Sequence, residues 1–197
     1  MINIYIATSR PTGILCREWA LENIPNEYSL VDTIESADIV ISVLYEKLFT
    51  YQEIQGKRCY NFHPGILPDY RGSGAYSWAI INEEKEFGIT LHLIDEGIDT
   101  GDIIETERFP IHPGDTSHTL HLRGTKVTIN MFKNFFIKIL ENKITTSPQN
   151  NQEGMIYYRK DLQKAKDLTK YLRAFSFPGK EAAYYVNSLG NKVYLEL

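Results

Sequence analysis

Two short apolar runs limit the fold of this chain more than anything else in it. "INIYIAT" (2–8) and "ADIVISVL" (37–44) are nearly continuous in β-branched and aliphatic residues. A strand that is apolar on both sides must be covered on both faces, as in a parallel sheet flanked by helices. The intervening sequence fits that arrangement. A turn, "SRPTG", precedes an expected helix over 13–21, and "EYSLVD" (27–32) is a second strand. After a loop with a short helix (45–56), "RCYNFH" (58–63) is the next strand, stopped by Pro64. A helix over 75–86 carries Trp78, Ile80 and Ile81, and "GITLHLI" (88–94) alternates as a strand does. No helix separates it from "DIIETERFPI" (102–111), which is therefore expected antiparallel at an edge. Asp115 or Thr116 can cap a long helix to about 142, with Leu120, Val127, Met131 and Phe135 at helical spacing. Strands alternating with helices predict an α/β fold with a mostly parallel sheet.

The stretch "TTSPQNNQEG" (145–154) is polar and breaker-rich, and reads as a linker. The expected organisation is a main domain over 1–144, the linker, and a small appendage over 155–197. In the appendage Leu162, Ala165, Leu168, Leu172 and Phe175 suit one helix face, and a hairpin turns at Ser188-Leu189-Gly190-Asn191. The net charge of −4 gives no bulk attraction to nucleic acid. Residues 157–173 hold six basic and two acidic side chains, either a solvated helix face or a phosphate-facing patch. Cys16 and Cys59 form no metal-like pair and read as buried reduced thiols. The N-terminus lacks the pattern of a signal peptide, and no apolar stretch approaches the roughly 20 residues that span a bilayer. A cytoplasmic protein without membrane or nucleic-acid partners is expected.

The chemistry concentrates between 60 and 104. Ligands in open α/β sheets bind outside the carboxyl ends of strands, where Asn61, His63 and Asp99 are expected. His63 can act as general acid or base, and Asn61 offers an uncharged donor to an oxygen that becomes negative. Asp99 can hold the imidazole or a water and favour the imidazolium. No Ser or Cys stands beside the histidine, which points to direct attack by a bound acceptor. Asn61 and His63 alone could be a satisfied structural pair. His92 reads as structural or surface. His112, His118 and His121 lack partners at ligand spacing, so no metal is expected. Asp95, Glu96 and Asp102 can be solvated loop charges. Tyr70, Arg71 and Trp78 either shape a binding site or pack the helix.

The ordered text "NFHPGILPDYRG", then Trp78, then "GITLHLIDEGIDTGDII" resembles the folate-dependent formyltransferases. These include the glycinamide ribonucleotide, methionyl-tRNA and nucleotide-sugar enzymes. The likeness is strong over about 37–110 and loose elsewhere. It implies a Rossmann-like catalytic domain, Asn61, His63 and Asp99 as catalytic triad, and 10-formyltetrahydrofolate as donor without a metal. It further implies a pterin pocket lined by Ile94, Asp95, Glu96 and Gly97, faced by Tyr45, Lys47, Leu48 and Phe49. It favours a cis Leu67–Pro68 bond. Asn61 arrives early, so the N-terminal half is abbreviated by a β/α unit. "SRPTG" differs from the Gly-rich phosphate loop of the ribonucleotide enzymes, and Gly74-Ala75 stands where many relatives have a proline.

Methionyl-tRNA enzymes add a sizeable C-terminal domain, and only 155–197 follow the linker here. Formyltetrahydrofolate hydrolases carry an extra N-terminal domain that this sequence does not show. The tail "YYRKDL…LRAFSFPG…AYY" resembles the segment after the core in nucleotide-sugar N-formyltransferases. A nucleotide-linked amino sugar is the expected acceptor. Glycinamide ribonucleotide or another small amine is the alternative, and a non-catalytic folate- or nucleotide-binding module is a third reading. A homodimer is compatible with the sequence.

Overall fold

In the computed structural model the two apolar runs lie side by side inside a six-stranded sheet. The structure describes residues 1–150, 154–164, 167–186 and 189–195; Ala165, Lys166 and Ser188 lie outside them. The first strands are β1 (Ile2–Ala7), β2 (Tyr28–Leu30), β3 (Ile39–Val43) and β4 (Arg58–His63). They pair in parallel in the order β2-β1-β3-β4. A short strand, β5 (Tyr70–Gly72), stands outside this sheet. Then β6 (Glu86–Leu93) joins β4 antiparallel, and β7 (Ile103–Pro110) joins β6 antiparallel at the edge. The sheet is thus mixed, parallel on one side of β4 and antiparallel on the other.

The chain between β4 and β6 includes a short helix. The helices are α1 (Pro11–Asn23), α2 (Tyr51–Ile54), α3 (Ala75–Ile81) and α4 (Ser117–Leu140). Of these, α3 lies between β4 and β6 and has seven residues, about 10 Å at helical rise. A six-residue strand is about 20 Å long. The helix does not carry the chain back to the amino end of β4, and β6 starts near its carboxyl end. The helix also stops earlier than 86, because Asn82 caps it and Glu83 takes a φ of 58°. Tyr70 donates to the Glu84 carboxylate, pinning the turn that follows.

Strand alternation divides the core between two faces. On one, Ile4, Ile6, Ile41, Tyr60, Phe62 and Leu91 pack beneath α1 and α4, against Cys16, Ala20, Phe132 and Phe136. Thr116 caps α4 by accepting from Thr119 N–H. At its other end Arg58 donates to the carbonyls of Ile139 and Leu140, so β4 ties down the helix that covers it. On the opposite face Val40 and Cys59 meet Ile34, Phe49, Ile54 and Ile94 in a smaller cluster. Both thiols are free and buried, and burial pushes Cys16 up to about 12 and Cys59 up to about 11.

The chain beyond α4 returns to the site. β8 (Met155–Tyr157) pairs in parallel with β5, in register Tyr70 to Met155 and Gly72 to Tyr157. A 3-10 turn over Arg159–Lys164 precedes α5 (Leu168–Phe175), and β9 (Tyr184–Val186) pairs antiparallel with β10 (Lys192–Tyr194). The single helix expected from Leu162 to Phe175 is split. Leu162 belongs to the 3-10 turn, and the Asp167 carboxylate accepts from Lys170 N–H to start a new helix. Leu162, Tyr171, Ala174, Phe175 and Ala183 form a small core of their own, closed by Trp78 and Ile81 of α3. Among the described residues no helix is long and apolar enough to cross a membrane.

Candidate active site

In β4, Tyr60 and Phe62 face the helices, so Asn61 and His63 face the other side. Antiparallel register sets His92 of β6 opposite Asn61 and Thr90 opposite His63. Over this polar patch lies the loop between β6 and β7, which supplies Asp99. Asp99 has a φ of 52°, in the left-handed region. The three expected residues therefore meet, although not at three parallel strand ends. His63 ends its strand, Asn61 sits inside β4, and Asp99 reaches over the sheet from the opposite end of the reversed β6.

Hydrogen bonding fixes the chemistry of each group. The nitrogen His63 Nε2 lies 2.6 Å from the carbonyl of Tyr70, an acceptor, so Nε2 carries a proton. The other nitrogen, Nδ1, faces Asp99 Oδ2 at 3.4 Å. The proton that His63 can exchange is therefore at Nδ1, beside the carboxylate. His92 Nδ1 likewise donates to the Leu93 carbonyl at 2.6 Å. That leaves His92 Nε2 to accept from Asn61 Nδ2 at 3.1 Å. The second Asn61 N–H points to Asp99 Oδ1 over a long 3.3 Å. Gly72 N–H donates to Asp99 Oδ2 at 2.9 Å.

The electrostatics follow from burial. Only 3% of His63 is exposed, and desolvation lowers its pKa below the ordinary imidazole value while Asp99 pulls it upward. Burial alone would raise the Asp99 carboxyl. Coulombic attraction to the His63 imidazole when it is protonated and the Gly72 N–H outweigh it and hold the group well below the usual carboxylate range. The site thus keeps an ionised carboxylate against a buried imidazole.

The residues expected at the pterin pocket come together in part. Tyr45 and Phe49 stack at 5.4 Å, and Phe49 and Ile94 pack on the same small cluster beneath the site. Leu48 is 75% exposed. Asp95 Oδ1 accepts from Gly97 N–H and Thr100, so this carboxylate braces its own loop. The Leu67–Pro68 bond is cis. Tyr70, Arg71 and Trp78 are each engaged within the fold. Tyr70 stacks on Tyr157 at 5.0 Å, Arg71 donates to the Gly154 carbonyl, and Trp78 donates to the Tyr158 carbonyl. The basic run is partly absorbed: Arg159 bonds Ser77, Lys170 pairs with Glu83, and Arg173 bonds the Asp115 carbonyl.

His92 was not recognised as a site residue from the sequence. It is 2% exposed and touches two of the three expected residues. Its signal was alternation with Thr90, legible only once Asn61 has a strand partner running the other way.

A family profile described as formyl transferase matches residues 22–135. The chain belongs to that family. It is 36% identical to a methionyl-tRNA formyltransferase of Caldanaerobacter subterraneus over 112 residues, which is 57% of this chain and 35% of that protein. The chain thus spans about a third of the length of this curated relative. The structure matches a sugar N-formyltransferase from a Shewanella species with a TM-score of 0.85 at 22% identity, covering 100% of this chain and 97% of the other. An N-formyltransferase from Helicobacter canadensis, solved with folinic acid and dTDP-3-aminofucose, matches with a TM-score of 0.77 at 24% identity, covering 90% and 81%. The matched span of the family profile contains Asn61, His63, His92 and Asp99.

Proposed function

We propose that the chain transfers the formyl group of 10-formyltetrahydrofolate to the amine of a nucleotide-linked amino sugar. The observation that carries this reading is the convergence of Asn61, His63 and Asp99 on the sheet face opposite α1 and α4. The acceptor amine attacks the formyl carbon, forming the new C–N bond and an oxyanion. Asn61 can exchange its long bond to Asp99 for this oxygen, while His92 holds the rest of the amide in place. The amine proton passes to the His63–Asp99 pair and on to the folate nitrogen as its bond to the formyl carbon breaks. A covalent route through Cys59 is disfavoured. That thiol lies on the same face of β4 but is buried, points at the Ile54 carbonyl, and stays protonated.

For the donor, the stacked Tyr45 and Phe49 beside Ile94 and the Asp95–Gly97 turn, together with Lys47, Leu48 and Glu96, would hold the pterin. For the acceptor, the likeness to sugar N-formyltransferases extends through the C-terminal elements. Arg10 and Lys180, far apart in sequence, also share Glu46 as partner, and a pyrophosphate could take its place.

Purified protein incubated with 10-formyltetrahydrofolate and a panel of amines tests this. The panel holds dTDP- and UDP-linked amino sugars, glycinamide ribonucleotide and methionyl-tRNA. Formamide product with a nucleotide sugar alone is the expected result. Product with another amine would reassign the acceptor. Folate binding without turnover of any amine would make the protein a binding module.

A further inference from the structure

We infer that Gln149 is a positioning residue that locks Asp99 against His63; the inference rests on the formyl-transfer reading of this site. Gln149 lies in the polar stretch after α4 that reads as linker. Its Nε2 donates to the carbonyls of Asp99 at 3.1 Å and Gly101 at 2.5 Å. Both partners can only accept, so the orientation of the amide is fixed and both of its N–H groups are used. The Oε1 is buried with no hydrogen-bond partner among the described residues. The amide is thus held by its donors.

The grip matters because of what it holds. Asp99 occupies left-handed backbone space, which Asp adopts more readily than most non-glycine residues, so its contacts decide how firmly it is held there. Gly72 N–H, His63, His92 and Asn61 all address the carboxylate, whereas Gln149 binds the backbone of Asp99 itself. The clamp is in turn anchored. Ser147 and Ile103 exchange backbone bonds at 2.8 and 2.7 Å where β7 begins. Gly101 lies so close to Leu93 that a Cβ would stand 2.0 Å from the Leu93 oxygen. A chain segment outside the triad thereby sets where the carboxylate stands.

Gln149→Met keeps the bulk of the side chain and removes both donors. Gln149→Asn keeps the amide but withdraws it by one carbon, and covers the case in which the methionine variant fails to fold. In the full-length protein, turnover should fall by up to about 10²-fold, with the acceptor KM within about twofold of the parent. Histidine NMR gives a readout that needs no turnover. Since Asp99 favours the imidazolium, loosening it should lower the His63 titration midpoint by about half a unit or more. An unchanged midpoint, or loss of thermal stability with kcat intact, would overturn the positioning role. If the parent enzyme formylates no amine, the NMR comparison still decides the role of Gln149 while the functional reading fails by itself.

Discussion

From β4, Tyr60 and Phe62 point into the helix layer and are almost fully removed from water. Asn61 and His63, on the same strand, point to the other face and meet His92, Tyr70 and Asp99. The helix-covered face works by area. Its contacts are non-directional, and many neighbours share the loss when one is removed. The open face works by count: each donor has an assigned acceptor, and a single missing group changes the chemistry. Damage on the first face should therefore appear as lost stability, and damage on the second as lost rate.

The largest separation is expected from Asp99→Asn, which keeps the shape and an acceptor for Gly72 N–H but removes the charge beside His63. Turnover should fall by about 10²–10⁴-fold, a larger effect than the accompanying drop in thermal midpoint that losing a fold-stabilised carboxylate entails, as read by steady-state kinetics and calorimetry on one preparation. Phe62→Ala should do the reverse. It should cost about 3–5 kcal/mol in chemical denaturation, while kcat per folded molecule is kept. A large rate loss in the Phe62 variant would show that the two faces are mechanically coupled.

Acidity probes the polar face without mutation. The pKa of His63 is lowered on folding, so the unfolded chain takes up its proton first. Stability is then lost as the pH falls below about 6.5. The pKa of Asp99 is also lowered, and its contribution is lost only as the pH falls below about 3.9. The thermal midpoint should decline on acidification from near pH 6.5, and the first part of that decline should be smaller in His63→Gln. His121, also lowered by burial, leaves a remainder. The smallest effect is expected from Trp78→Phe, which keeps an aromatic ring and loses the bond to the Tyr158 carbonyl. It should cost about 1 kcal/mol with activity unchanged, as measured by urea denaturation and the transfer assay.

These two faces also differed in how far the sequence revealed them. β1, β3, β4 and the long helix α4 were readable because apolar period and caps are local signals. The direction of β6 was not, since nothing in "GITLHLI" says which way the strand enters the sheet. Asn61, His63 and Asp99 were visible as an ordered motif. His92 needed the reversed register to face Asn61. Gln149 was hidden because a polar, proline-containing stretch carries the signature of a loop whether or not its side chains grip anything. The split of the C-terminal helix at Asp167 was missed for a similar reason: apolar spacing continued across a cap.

The pairing of β8 with β5 bears on how enzymes of this kind can be recombined. β5 presents the Tyr70 carbonyl to His63 and the Gly72 N–H to Asp99, and its whole length is matched by Met155–Tyr157. Gly72 has a φ of 90°, and a Cβ there would stand 2.3 Å from the Tyr157 oxygen, so the two strands fit only with glycine at that point. A chimera that exchanges the tail to change the acceptor should therefore be joined after Tyr157. A junction inside 145–154 would give β5 a foreign strand on its flank, and the graft would disturb the His63–Asp99 pair along with whatever the tail itself contacts.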